Sequence, residues 1–120
     1  MTQHILLVDD SIDVHLLIGA SLRRCKRKDV TIESCQDPRE ASSLVAARTP
    51  DLLICDVNMP HLTGPELIGQ LRDEGYTNPA LLISSVPHHP EQAAADAMVD
   101  KAELLSNLGP LLARWLPPSR

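Results

Sequence analysis

Two short apolar segments of the chain each end in acidic residues. Residues 5–8 run into Asp9 and Asp10, and residues 52–55 run into Asp56. Segments this short and this continuously apolar predict strands that are buried on both faces of a parallel sheet. Side chains just beyond the carboxyl ends of such strands face the crevice in which open α/β sheets bind ligands. The sequence therefore predicts three carboxylates in one pocket.

A pocket of this kind favours a cation. Two like charges about 4 Å apart repel by about 4 kcal/mol at an effective dielectric constant of about 20, and a bound cation relieves that repulsion. Hard oxygen ligands in an open, partly hydrated site suit Mg²⁺ better than Ca²⁺. The alternative is that the acids are solvated residues at strand ends. That alternative explains one aspartate more readily than three aspartates at two matched positions.

Strands and helices are expected to alternate along the chain. The predicted strands cover residues 5–8, 30–35, 51–56, 80–84 and 97–100. The predicted helices cover residues 12–27, a segment capped by Asp37, a segment from the capping box at Thr63 to Gly75, a short stretch from Pro90, and a last segment ending at residues 115–116. The alternation predicts an α/β fold, with a doubly wound five-stranded parallel sheet and helices on both faces.

Hydrophobic spacing predicts which face of the first helix is buried. The residues that recur at helical spacing, and that are expected to face the core, are Val14, Leu17, Ile18, Ser21 and Cys25.

Composition and charge exclude several classes of function. The 120 residues suit one domain, and one Trp, one Tyr and no Phe argue against a ligand site built on stacked aromatic rings. A net charge of −5 argues against direct nucleic-acid binding. Neither a membrane span nor a signal peptide is recognisable, and the three cysteines lack metal-ligand spacing. We therefore expect a cytoplasmic protein that does not bind membranes.

Four features together resemble one known family. They are the pair Asp9-Asp10, the D-x-x-M-P-x-x-x-G stretch from Asp56 to Gly64, Ser84 at the end of the fourth strand, and Lys101 after the fifth. This order resembles the receiver domain of two-component response regulators over essentially the whole chain. The resemblance implies a flavodoxin-like receiver fold over residues 1–120, with residues 117–120 as a tail or the start of a linker.

The resemblance also implies a role for each residue. Asp56 matches the phosphoacceptor, which takes a phosphoryl group from a histidine kinase or a histidine phosphotransfer protein. The implied Mg²⁺ ligands are Asp10, Asp56 and the backbone carbonyl of Asn58, with Asp9 acting mainly through metal-bound water. Lys101 and Ser84 would contact the phosphoryl oxygens. The sequence leaves the oligomeric state open, with a homodimer as one alternative, and the only expected catalysis is that of the domain's own phosphorylation and dephosphorylation.

The chain departs from the family's usual pattern near its carboxyl end. The interval from Ser84 to Lys101 is shorter than usual, which predicts a shortened fourth helix. Met98 stands where an aromatic residue is common, and Ala102 stands where proline often follows the lysine. Pro110 lies inside the expected last helix, so we expect either a kink or a late start near Asn107.

Two other classes of function remain alternatives. One is a receiver-like interaction module that works without phosphate, for which the shortened fourth helix is the only support. The other is a Mg²⁺-dependent phosphatase with an aspartyl nucleophile. Such phosphatases typically carry D-x-D and a cap over the substrate, whereas this chain has adjacent Asp9 and Asp10 and no room for a cap.

Overall fold

A five-stranded parallel sheet forms the centre of the computed structural model, which describes residues 2–85 and 94–118. The strand order is β2-β1-β3-β4-β5, so the chain reverses its direction of winding between β1 and β3. The strands are β1 (Gln3–Val8), β2 (Val30–Cys35), β3 (Leu52–Asp56), β4 (Ala80–Ser84) and β5 (Ala97–Asp100). The predicted strands are confirmed, with differences of at most two residues at their ends.

Helices cover both faces of the sheet. The described α-helices are α1 (Ile12–Arg24), α2 (Ala41–Ala47), α3 (Gly64–Asp73), α4 (Lys101–Ser106) and α5 (Leu108–Trp115). A short 3₁₀ helix, Pro38–Glu40, leads into α2. Among the described residues, no helix is both long and apolar enough to cross a membrane.

The alternation of side chains along the strands divides the core into two layers. In β1, Ile5 and Leu7 pack into the layer beneath α1, α4 and α5, whereas Leu6 and Val8 pack into the layer beneath α2 and α3. All four side chains are at most 1% exposed. Both faces of the central strands are therefore buried, which is why these segments are continuously apolar. The doubly wound α/β fold is confirmed.

Helix α1 differs from its prediction in two respects. It ends at Arg24 rather than near residue 27, because Lys26 adopts a left-handed backbone conformation with φ of 57°. Leu17 was predicted to be buried, but it is 51% exposed. Successive helical residues are separated by about 100°, so Leu17 lies outside the arc centred on the buried Ile18. His15 lies inside that arc and is buried instead.

The predicted caps at Asp37 and Thr63 are confirmed by their hydrogen bonds, but Asp37 caps the 3₁₀ helix, and α2 itself begins at Ala41. The Asp37 carboxylate accepts from the Arg39 backbone N–H at 2.9 Å, and the first turn after it is 3₁₀ rather than α-helical. Thr63 and Glu66 form a complete capping box, in which each side chain accepts from the other residue's backbone N–H. These caps fix where the 3₁₀ helix and α3 begin, directly after the loops at the carboxyl end of the sheet.

The late start of the last helix is confirmed. Helix α4 ends at Ser106, and α5 begins at Leu108, so Pro110 lies in the first turn, where proline loses no helical hydrogen bond. The break leaves carbonyl groups at the end of α4 without helical donors. One of them, the carbonyl of Leu105, accepts from the Ser21 hydroxyl of α1 at 3.1 Å. The short helical stretch predicted from Pro90, which is the expected shortened fourth helix, lies largely outside the described residues.

Candidate functional site

The register of the central strands brings the predicted acids together. Val8 of β1 is paired with Cys55 of β3, so the residues that follow them, Asp9 and Asp56, lie side by side at the carboxyl edge of the sheet. One carboxylate oxygen from each of Asp9, Asp10 and Asp56 lies within 4.8 Å of the others. Asp9 and Asp56 are buried, whereas Asp10 is exposed at the mouth of the cluster. The predicted gathering of three carboxylates at this edge is present in the structure.

Asp9 is fixed in place through both its backbone and its side chain. Its backbone N–H donates to the carbonyl of Cys35 at 3.0 Å, which continues the pairing of β1 with β2. Its Oδ1 accepts from the Ser11 backbone N–H at 2.9 Å. Its side chain is completely buried, so these contacts leave it little freedom.

Lys101 is the cation nearest to the carboxylates in the described structure. Its Nζ lies 3.2 Å from Oδ2 of Asp9 and 3.3 Å from Oδ1 of Asp56. Asp100 ends β5 and caps α4 by accepting from the backbone N–H of Ala102 at 2.8 Å. Lys101 is therefore the first residue of a capped helix that begins directly at the edge of the sheet.

The electrostatics of the cluster favour positive charge. Burial raises the pKa of Asp56, the negative charge of Asp9 raises it further, and the opposing attraction of Lys101 does not cancel these effects. Burial alone would lower the pKa of Lys101, but the two adjacent carboxylates raise it above its ordinary value. The lysine therefore stays protonated, and the ionised form of Asp56 is held at an energetic cost.

Ser84 and Asn58 lie next to the acids along the same edge. Ser84 is 2% exposed and ends β4, one position beyond Ile83, which pairs with Asp56. Asn58 is exposed in the loop after β3, and its backbone N–H hydrogen bonds to the Asp56 carboxylate and lowers its pKa. The fold thus places all six sequence-predicted site residues at or beside this edge.

The loop between β3 and α3 is shaped to bring α3 against the site. The Gly64 backbone N–H donates to the carbonyl of Val57 at 2.8 Å. A Cβ atom at Gly64 would overlap the carbonyl oxygen of Asp56, so this close approach requires glycine. His61 adopts φ of 73°, a left-handed conformation that is strained for a residue with a side chain.

Sequence reasoning missed one residue that contacts the site. His15 of α1 is buried, and its Nε2 lies 2.7 Å from the backbone carbonyl oxygen of Asp9. The buried face of α1 was predicted from the spacing of mainly apolar residues, and that set did not include His15. The signal that could have found it is its helical position between Val14 and Ile18.

The donor set fits a hard divalent cation. Carboxylate and backbone carbonyl oxygens are the ligands that Mg²⁺ prefers, and it usually keeps several waters rather than filling its coordination with protein groups. Three carboxylates balanced by one lysine leave an excess of negative charge at the edge of the sheet. Asp10 is exposed, and the side chain of Asp56, although buried for most of its surface, is 8% exposed at the same edge, so a hydrated ion has access to both. The residues present therefore fit Mg²⁺.

The structure is a doubly wound α/β domain with an acidic cluster at the carboxyl edge of its sheet, and the sequence matches a known family of signalling domains directly. Residues 5–105 match the response regulator receiver domain, so the chain belongs to that family. The response regulator MprA of Mycolicibacterium vanbaalenii is 36% identical, over 98% of this chain and 53% of the relative. MprA of Mycobacterium tuberculosis is 35% identical, over 98% and 54%. The chain therefore spans about half the length of these relatives.

Solved structures agree with this assignment. The chemotaxis protein CheY4 of Vibrio cholerae superposes with a TM-score of 0.83 at 27% identity, covering 97% of this chain and all of that one (100%). The response regulator TrrA of Thermotoga maritima, solved in complex with Mg²⁺ and BeF, gives a TM-score of 0.82 at 24% identity, with 96% and 100% coverage. These similarities confirm the receiver fold, and the family membership makes the chain part of a two-component signalling system.

Proposed function

We propose that this domain accepts a phosphoryl group on Asp56 from a histidine kinase or a histidine phosphotransfer protein, in a Mg²⁺-dependent reaction that changes its surface. One observation carries the proposal. Three carboxylates from two adjacent strands converge within 4.8 Å, with one lysine bridging the two that are buried. An arrangement this repulsive costs stability and is explained by binding a divalent cation and a transferred phosphoryl group.

Asp56 is the proposed nucleophile. One of its carboxylate oxygens attacks phosphorus while the bond from phosphorus to the donor's histidine nitrogen breaks, which produces an acyl phosphate on Asp56 and a free imidazole. Asp56 suits this role because its side chain, although 8% exposed, lies at the open edge of the sheet next to the exposed Asp10. The raised pKa of Asp56 indicates a carboxylate that is poorly solvated, as expected of a group that gains from charge compensation.

The proposed Mg²⁺ ligands are Asp10, Asp56 and the backbone carbonyl of Asn58, with Asp9 acting through water. When bound, Mg²⁺ neutralises the carboxylates and the transferring phosphoryl group. The relative TrrA was solved with Mg²⁺ and BeF, which supports this choice of metal. The complete burial of Asp9 and its pairing with Lys101 support an indirect role for Asp9.

Lys101 and Ser84 are the proposed contacts to the phosphoryl oxygens. The Lys101 side chain is 20% exposed and its Nζ already lies 3.3 Å from Asp56 Oδ1, so a small movement brings the ammonium group to a phosphoryl oxygen. The buried Ser84 hydroxyl lies one strand away and would donate a hydrogen bond to a second oxygen. A shift of Ser84 toward the phosphate is the proposed link between the chemistry and the surface of the domain.

An exposed apolar surface lies beside the site. Helix α1 begins two residues after Asp10, and its three large exposed apolar side chains are Ile12, Leu16 and Leu17. Ile12 and Leu16 are four residues apart and share one helix face. We propose that the histidine-bearing protein packs on this face, which places its phosphohistidine close to Asp56.

Acetyl phosphate tests the chemistry without a protein donor. Incubated with acetyl phosphate and Mg²⁺, the protein should gain the mass of one phosphoryl group, and Asp56→Asn should gain none. Asp51→Asn, which changes another aspartate near the same strand, should behave like the unaltered protein. Phosphorylation of Asp56→Asn, or equal phosphorylation after Mg²⁺ is removed with a chelator, would contradict the proposal.

The docking surface needs a separate experiment. Leu16→Glu places a charge on the exposed face of α1 and should slow transfer from a phosphorylated histidine phosphotransfer protein at least tenfold, a loss of about 1.4 kcal/mol. The same variant should accept phosphate from acetyl phosphate at an unchanged rate, because its site is intact. Equal slowing with both donors would mean that Leu16 affects the site rather than docking.

A further inference from the structure

His15 is a buried polar residue that no step of the proposed reaction uses. It lies in the first turns of α1 and is 7% exposed. Its Nε2 is 2.7 Å from the Asp9 carbonyl oxygen. Because a carbonyl oxygen can only accept, Nε2 must carry the hydrogen and donate it. The imidazole is therefore oriented by a single short hydrogen bond to the backbone of the acidic pair.

The second ring nitrogen, Nδ1, makes no contact among the described residues that would require a histidine at position 15. His15 Nδ1 is buried, and within the described residues it has no hydrogen-bond partner. Burying a polar group costs free energy that one hydrogen bond only partly offsets, so an apolar residue would fill this position on α1 at less cost. The hydrogen bond to Asp9 is thus the one contact that distinguishes histidine from leucine at this position.

The carbonyl that His15 holds belongs to the peptide group joining Asp9 to Asp10. The other contacts of Asp9 fix its backbone N–H and its carboxylate, through Cys35 and Ser11. The hydrogen bond from His15 fixes the remaining part, the plane of the Asp9–Asp10 peptide. The orientation of that plane determines where the backbone of Asp10 leaves the strand and so where its exposed carboxylate points.

We propose that His15 is a positioning residue that orients the Asp9–Asp10 peptide, so that the Asp10 carboxylate is directed toward Asp56 for divalent-cation binding. This inference rests on the proposed function. Groups that hold metal ligands in place typically contribute 10- to 100-fold to metal affinity without touching the metal. His15 acts on the backbone of the ligand pair rather than on a ligand side chain.

Two substitutions distinguish a role of His15 in positioning the Asp9–Asp10 peptide from a role in filling buried volume. His15→Leu keeps the buried volume but removes the donor, and His15→Gln keeps an N–H donor at a similar distance along the side chain. Titrated with MgCl₂ and followed by NMR shifts of the site amides, His15→Leu should bind Mg²⁺ about tenfold more weakly or worse. His15→Gln should stay within about threefold of the unaltered protein, well short of the loss expected when the donor is removed.

Ser21→Ala is the matched control on the same helix. Ser21 is also buried, but its hydroxyl bonds the carbonyl of Leu105 in α4 and not the acidic pair. This substitution should lower the melting temperature without changing Mg²⁺ affinity. A parallel loss of Mg²⁺ affinity in Ser21→Ala and His15→Leu would show that α1 acts only through general stability, and would overturn the inference.

The result also distinguishes this inference from the proposed function. If the unaltered protein neither binds Mg²⁺ nor takes phosphate from acetyl phosphate, the proposed function fails. If it does both and His15→Leu binds Mg²⁺ equally well, only the role of His15 is wrong. Failure of His15→Gln to restore affinity in a folded protein would likewise overturn the donor role.

Discussion

Charged side chains are balanced at one end of the sheet and unbalanced at the other. At the amino ends of β4 and β5, one guanidinium meets one carboxylate, with Arg72 Nη2 lying 3.0 Å from Asp96 Oδ2. Arg72 also donates to the carbonyls of Tyr76 and Asn78, and Asp96 accepts from the Ala80 backbone N–H at 2.8 Å. Both charges of this pair are neutralised and hydrogen bonded, and the cluster connects the end of α3 to the starts of two strands.

At the carboxyl end, three carboxylates share one lysine. Asp9 and Asp56 both contact Lys101, while Asp10 adds a third negative charge within 4.8 Å. The same fold therefore contains a balanced cluster that stabilises it and an unbalanced cluster that costs stability. The surplus of negative charge distinguishes the functional site from a structural cluster, since a structural role would be served better by a balanced pair.

The largest expected effect is the loss of Mg²⁺ binding in Asp10→Asn. Removing this ligand should weaken Mg²⁺ affinity by at least the 10- to 100-fold typical of changes around a metal site, as measured by titration. The metal-free melting temperature should rise, because one repulsive charge is removed. Asp13→Asn makes the same change of charge on the exposed surface of α1 and should leave Mg²⁺ affinity unaltered. A lower melting temperature in Asp10→Asn would contradict the picture of an unbalanced cluster.

For the balanced cluster around Arg72, we predict that removing a charge lowers stability rather than raising it. Arg72→Ala removes the bonds to Asp96, Tyr76 and Asn78 and should lower the free energy of unfolding by about 1–3 kcal/mol, measured with urea. Its Mg²⁺ affinity should not change. Arg39→Ala, which breaks an exposed pair with Asp37, should cost less than Arg72→Ala. Equal losses in the two variants would show that the Arg72 cluster has no special structural role.

The stability of the unbalanced cluster should depend on pH through Asp56. Because burial raises its pKa above the ordinary value of 3.8, the folded protein binds this proton more tightly than the unfolded chain. Ionisation of Asp56 therefore costs stability as the pH rises through the raised pKa. Without Mg²⁺, Asp56→Asn should be more stable than the unaltered protein at pH 7, and the difference should shrink toward pH 4. If the stability advantage of Asp56→Asn grew on acidification, the predicted direction of the pH dependence would be wrong.

The smallest expected effect concerns backbone strain beside the site. His61→Gly removes a left-handed conformation that costs a residue with a side chain about 1–2 kcal/mol, while glycine's freedom in the unfolded chain offsets part of that gain. A net stabilisation of up to about 1 kcal/mol is expected by urea unfolding. Gly75→Ala, at φ of 104° after α3, should change stability in the opposite direction. Destabilisation by His61→Gly would show that the loop is not strained.

The sequence allowed the acidic edge to be predicted because its signal is local. Apolar segments ending in aspartate specify both the strand and the position of the acid, so Asp9, Asp10 and Asp56 followed from pattern alone. Pro110 likewise predicted the late start of the last helix, because proline restricts the backbone wherever it stands. Local chemistry of this kind needs no knowledge of the neighbouring elements.

Other features depend on contacts between distant elements and were not predicted. The buried face of α1 was assigned from hydrophobicity, which favoured Leu17 and ignored His15, since the reason for burying a histidine is a carbonyl in another element. The Arg72 cluster was missed for the same reason, because its partner Asp96 is 24 residues away. The roles of Ser84 and Asn58 stay predictions that follow from the family.

Chemical trapping of the phosphorylated residue identifies the phosphoacceptor. Borohydride reduces an acyl phosphate to an alcohol, so a phosphorylated aspartate becomes homoserine, which can be located by fragmenting tryptic peptides. The peptide of residues 49–72 contains both Asp51 and Asp56, so Asp51 is an internal control. After treatment with acetyl phosphate and Mg²⁺, we predict homoserine at position 56 alone and none without Mg²⁺. Homoserine at Asp51 or Asp10 instead, or at position 56 regardless of Mg²⁺, would contradict the assignment of Asp56 as the Mg²⁺-dependent phosphoacceptor.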